Sequence, residues 1–134
     1  MQRLMKTVFA TIGLIMVCLA STASAHHAFA AEFDREKPIA LRGRVTEMRW
    51  ANPHAWIYID VTNEDGTVVN WALETRAANN LIRLGWRRED LPPGTELVVE
   101  AFRARNGTPT ASIDSVTFAD GRSLFVGSPD QPQP

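Results

Sequence analysis

The chain has 134 residues, with 14 Lys and Arg against 15 Asp and Glu and a formal net charge of −1. No block of basic residues breaks that balance, which argues against nucleic acid and anionic lipid surfaces as partners. A single cysteine, Cys18, and a length suited to one small domain exclude a disulfide framework and a multidomain architecture.

Arg3 and Lys6 precede an apolar run from Thr7 to Ala20, and Ala23-Ser24-Ala25 places small residues at a cleavage position. A charged start, an apolar stretch and a small-x-small junction describe a secretory signal over residues 1–25. The apolar run is too short for a durable membrane span, and no second one follows. Val17 is larger than the residue that a lipoprotein signal places before its cysteine. Cleavage after Ala25 therefore leaves a periplasmic or secreted chain, free of cysteine, that opens on His26-His27.

Residues 26–38 read as an N-terminal segment packing on the domain. Phe29 and Phe33 are spaced i, i+4, so one helical turn puts both rings on one face. Pro38 ends that piece. The domain proper spans 39–127. Over 39–50, Ile39, Leu41 and Val45 are apolar at odd positions, whereas Met48 and Trp50 are apolar at even ones. A slip of one residue predicts a bulge near Thr46, with Gly43 easing a bend. Ala51-Asn52-Pro53 is a turn. Strand 55–62 sets Ile57, Ile59 and Val61 on one face and Trp56, Tyr58 and Asp60 on the other. Asn63-Glu64-Asp65-Gly66 predicts a hairpin loop, and strand 67–74 returns with Val69, Trp71 and Leu73 aligned.

The period then lengthens. Thr75 is placed to N-cap a short helix over 76–84, and Gly85 stops it. Asp90-Leu91-Pro92-Pro93-Gly94 is a loop. Strand 95–105 points Leu97, Val99 and Ala101 inward, Asn106-Gly107 turns, and strand 110–118 follows with a second slip near Asp114-Ser115. Asp120-Gly121 leads into a last short strand, 123–126. The tail, 128–134, is rich in proline and glutamine and is expected to be disordered.

Three strands, a helix, then two strands and a short extra one suit a mostly β chain. The expected fold is a small OB-like barrel of five to six antiparallel strands, with one short helix between strands 3 and 4. Closure would leave few open edges. A two-sheet sandwich is the alternative.

The chemistry rests on three histidines. A free α-amino group on His26 beside its own imidazole is a chelating pair suited to Cu(II), and His27 or His54 can add a second imidazole. Zn(II) would add a carboxylate such as Glu32 or Asp34. Extended, residues 28–38 reach at most about 36 Å at roughly 3.3 Å each, so His26 can meet His54. The plainer alternative is a solvated chain end at His26-His27 and a turn-capping role for His54. Trp56 and Tyr58 on one strand face are candidate ligand-binding aromatics, with packing into the fold as the competing reading. Glu47, Asp60, Glu74 and Glu100 are best explained by solvated outer faces. Ser112 and Ser115 have no histidine near them in sequence, and no catalytic constellation or phosphate loop is present.

His26-His27-Ala28-Phe29 with Phe33-Asp34, Trp50-Ala51-Asn52-Pro53-His54, Asn70-Trp71, Gly85-Trp86 and Asp120-Gly121-Arg122 together resemble a family of small secreted bacterial proteins, domain of unknown function 6152. The resemblance covers nearly the whole mature chain. It implies export and a single domain and assigns no reaction. Serine usually follows the paired histidines in that family, and Ala28 stands there in this chain.

These residues point first to a copper-binding carrier or delivery module with a metal-receiving partner. An interaction domain that binds an envelope protein or small ligand through Trp56 and Tyr58 is the second reading. A small copper-dependent enzyme is the third, with no substrate pocket defined by the sequence.

Overall fold

The computed structural model describes residues 29–126. A helical turn at 29–32 leads into β1 (Phe33–Arg49), followed by β2 (Trp56–Thr62) and β3 (Val68–Glu74). Helix α1 (Ala78–Arg83) and a 3-10 turn at Arg88–Asp90 separate these from β4 (Glu96–Ala104), β5 (Thr110–Phe118) and β6 (Ser123–Phe125).

The strands form one sheet in the order β3-β2-β1-β4-β5-β6. A further pairing of β3 with β5 closes five of them into a ring. That is the OB-type topology expected from the element order, and it replaces the two-sheet alternative with one closed sheet. The closing pair is parallel, with Ala72, Leu73 and Glu74 opposite Thr110, Ala111 and Ser112. The remaining pairings are antiparallel, so the expectation of antiparallel strands holds everywhere except at the closure.

The bulges fall where the hydrophobic phase slips. On β1 the register with β2 shifts between Val45 and Glu47, leaving Thr46 as the extra residue. On β5 the shift leaves Asp114 between Ser115, opposite Glu100, and Ile113, opposite Ala101. Each bulge returns the following apolar residues to the interior. Val45, Ile57, Ile59, Leu73, Leu97, Val99, Ile113 and Val116 make the core, closed by Leu81, Trp86 and Leu91 from the helical connection.

Gly43 stands where β1 passes from β4 to β2. Its neighbour Arg44 pairs with both Glu96 and Asp60. A Cβ on Gly43 would lie 2.5 Å from the Asp60 carbonyl oxygen, so only glycine allows the two strands to approach this closely.

Two local expectations need correction. The first strand begins at Phe33 rather than 39, because Phe33 already pairs with Ala104 before an irregular stretch to Pro38. Thr75 does not cap the helix. Its N–H bonds to the Ala55 carbonyl at 3.0 Å, which extends the strand pairing, and the helix starts at Ala78 after Ala77, without a side-chain cap. The helix ends as expected, with Gly85 at a φ of +92°.

Among the described residues no helix is long and apolar enough to cross a membrane. The cleavage junction and the tail 128–134 lie outside the described residues.

Candidate functional site

The loop 50–55 joins β1 to β2 and carries His54. Its far end is pinned by reciprocal backbone bonds: Thr75 donates to Ala55, and Ala55 donates to the Arg76 carbonyl at 3.1 Å. The middle of the loop is tied to the helix, since Ala78 N–H bonds to the Ala51 carbonyl at 3.0 Å. His54 is thereby held beside the end of β3, where its Nδ1 pairs with Glu74 Oε1.

This pair is asymmetric. The His54 side chain is 43% exposed and the Glu74 side chain only 6%. Glu74 lies on the outer face of the barrel by strand alternation, opposite in phase to the core residue Leu73. A solvated outer face was the reading for this carboxylate, and its burial overturns that reading. The cause is tertiary. The 50–55 loop brings His54 against Glu74, and the parallel closure adds β5 on the other side. With Nδ1 turned to a carboxylate, Nε2 is the ring nitrogen left to take a proton or a metal. Metal-binding histidines are commonly oriented by a carboxylate in this way.

A row of outward-phase residues crosses the sheet at this level. Phe102 pairs with Ser112 across β4–β5, Ser112 with Glu74 across β5–β3, and Glu74 with Trp56 across β3–β2. Ser112 is fully buried, and its Oγ finds no hydrogen-bond partner among the described residues. Arg76, just beyond β3, is also buried, its Nε donating to the Val126 carbonyl at 2.6 Å. Two buried polar side chains, Glu74 and Ser112, are thus neighbours on this outer row. Sequence reasoning flagged His54 and missed Glu74 and Ser112 as members of one cluster. Nothing in strand alternation signals that an outward residue will be covered.

The other end of the row meets the start of the described chain. Phe29 lies 5.3 Å from Phe33 and meets Phe102 edge-on at 6.3 Å, measured between ring centroids. These rings and Ala104 make a small apolar cluster apart from the main core. Phe33 belongs to it from β1 rather than from the helical turn.

Trp56 and Tyr58 sit on the outer face of β2 and are half-buried. The Arg49 guanidinium lies over the Tyr58 ring, 5.2 Å from its centroid. Asp34 does not offer itself to a metal. It is buried and taken up by Arg105 at 3.3 Å, Lys37 at 3.8 Å and the Glu36 N–H at 3.2 Å. Glu32 is exposed.

Among the described residues no three His, Cys, Asp or Glu side chains gather closely enough to hold a metal ion. His26 and His27 lie outside the described residues.

Over residues 13–113 the sequence matches the pattern described as "Family of unknown function (DUF6152)", and the chain belongs to that family. No curated protein and no solved structure matches it.

Proposed function

We propose that this family member is an exported periplasmic protein that binds Cu(II) through the amine and imidazole of His26 and the Nε2 of His54. His27 is the alternative source of the second imidazole. The observation that carries this reading is the His54–Glu74 pair, a half-exposed imidazole whose Nδ1 is engaged by a buried carboxylate. One amine and two imidazole nitrogens form a donor set that suits tetragonal Cu(II). Glu74 would orient His54 without touching the metal. The role we assign to it is carriage or delivery rather than turnover.

Reach supports the same reading. Phe102 and Glu74 are two strand spacings apart, about 10 Å. From Phe29, packed on Phe102, three residues lead back to His26 and cover about 10 Å when extended.

The test is intact mass and metal content of the protein recovered from the periplasm, followed by electron paramagnetic resonance. One Cu(II) per chain with nitrogen couplings is expected, weakened by His54→Ala and by a residue added before His26. Ligand nitrogens must be deprotonated, so affinity should fall as pH drops through the imidazole and amine ranges. A product cut elsewhere than after Ala25, or one that holds copper equally well with an added residue, refutes the reading.

The outer aromatic surface sustains one second reading, an interaction module. Trp56 and Tyr58 share a face of β2, and the Arg49 guanidinium stacks there. Partner capture lost on Tyr58→Ala but kept on His54→Ala would favour it.

A further inference from the structure

We propose that the pocket between the start of β1 and the end of β4 binds the phosphate group of a small ligand through Lys37, Arg103 and Arg105. It involves neither His54 nor a metal. The pocket arises from a mismatch in strand length. Phe33 pairs with Ala104 and Pro38 with Phe102, so residues 34–37 stand opposite Arg103 alone. The surplus residues cannot all join the ladder, and such bulges re-aim side chains. Asp34 and Lys37 from this stretch line a pocket of about 360 Å³ together with Arg103, Arg105 and the turn residue Gly107. Joining β1 to β4 requires none of this, since the two pair continuously from Pro38 to Arg44.

Three cations and one carboxylate line the pocket, so positive charge is in surplus there. Asp34 is the deepest of the group. Its side chain is 12% exposed, against 48% for Arg105 and 74% for Lys37. Its Oδ1 accepts the Glu36 N–H at 3.2 Å, and its Oδ2 faces Arg105 Nη1 at 3.3 Å and Lys37 Nζ at 3.8 Å. Asp34 thereby gathers two cations while its own oxygens are engaged. Arg105 is held further by Nε, which donates to the Ala30 carbonyl at 2.8 Å. Arg103 donates from Nη2 to the Gly107 carbonyl at 3.3 Å, and its guanidinium lies over the Trp71 ring, 5.7 Å from the centroid. Long side chains already held in place lose less freedom when a ligand arrives.

Donors remain for that ligand. Arg105 Nη2 and Arg103 Nη1 have no partner among the described residues. Two guanidinium forks and an ammonium offer hydrogens from three side chains, which suits a tetrahedral oxyanion better than a planar carboxylate. The surplus of cations matches a phosphate monoester, which carries about −1.5 to −2 charges at pH 7. The pocket volume falls within the range of small-molecule sites, which leaves room for an organic group beside the phosphate.

The probes are inorganic phosphate, phenyl phosphate and acetate, titrated by calorimetry into protein purified after expression of the full chain. Nuclear magnetic resonance locates the site. Saturable binding of one phosphate group per chain is expected, with shifts at Lys37, Arg103 and Gly107. Tighter binding of phenyl phosphate assigns an ester as the ligand, and tighter binding of inorganic phosphate assigns the free ion. Arg103→Ala should raise Kd about tenfold, and Lys37→Ala about threefold because its ammonium is more exposed. Lys37→Ala changes only an exposed side chain, which keeps the proposal testable if Arg103→Ala does not fold. Arg42→Ala removes an exposed arginine elsewhere on β1 and should leave Kd unchanged. No saturable binding of either phosphate overturns the proposal. So does equal weakening by Arg42→Ala, the mark of unspecific attraction to charge, and so does acetate bound as tightly as phosphate.

Discussion

Gly43→Ala probes the tightest crossing in the barrel. The added Cβ would stand 2.5 Å from the Asp60 carbonyl oxygen, 3.1 Å from its carbon and 3.2 Å from Ile59 Cδ1. The first two atoms are backbone and cannot rotate away. β1 and β2 must therefore separate at the point where Arg44 pairs with Asp60, and the adjoining ladder weakens. Elsewhere in a strand, alanine in place of glycine gains about 0.5–1 kcal/mol from reduced backbone entropy. Forcing a methyl into a packed site costs about 1–3 kcal/mol. The crossing involves backbone, so the upper part of that range applies and a net loss of about 1–2 kcal/mol is expected. For a domain of this size that lowers Tm by roughly 4–8 °C per kcal/mol. Urea titration followed by circular dichroism reads it directly, with Gly121→Ala as a contrast. At Gly121 the cost is a φ of +85° rather than a clash. Unchanged or raised stability in Gly43→Ala would refute the claim that close approach of β1 to β2 is why glycine stands there.

Other outcomes follow from single features. Ile113→Ala removes a fully buried side chain from the core and should cost about 2–5 kcal/mol in the same titration. Ser112→Ala removes a buried hydroxyl without a described partner, so stability should stay level or rise by about 1 kcal/mol, and a clear loss would reveal a partner for Oγ. Asp65 is held below its ordinary value of 3.8, first by the Thr67 hydroxyl at 2.6 Å and then by the Thr67 N–H at 2.9 Å. A lowered folded value means this contribution to stability is present above 3.8 and lost as pH falls through the folded value. Thr67→Val should move the Asp65 carboxyl titration upward by nuclear magnetic resonance, and an unmoved titration would refute the hydroxyl's role.

Much of the fold was legible because strand alternation is a local signal. Both bulges could be read from a slip in apolar phase, at Thr46 and beside Asp114, since an extra residue must invert the pattern to keep the core filled. The hairpin loop at 63–66 and the stop at Gly85 were legible for a similar reason, as each needs a backbone conformation that glycine favours. Thr75 misled because a hydroxyl before a helical pattern resembles a cap, whereas pairing with Ala55 captured its backbone for the sheet. The partner of Phe33 was equally hidden. Its i, i+4 spacing with Phe29 named the ring pair, but only the fold brought Phe102 and Ala104 to receive it.

The candidate site divides along the same line. By itself the sequence determined which imidazoles exist and where they stand along the chain. Those are properties of composition and local order. It could not mark Glu74 as buried, because alternation assigns that residue to the outer face and burial there depends on segments far apart in the chain. Only the tertiary structure set His54 beside Glu74, Ser112 between Glu74 and Phe102, and Phe29 on the far end of the same row. The reason is the ring itself. Pairing β3 with β5 joins residues distant in sequence, and no local pattern records which outer positions that closure will cover.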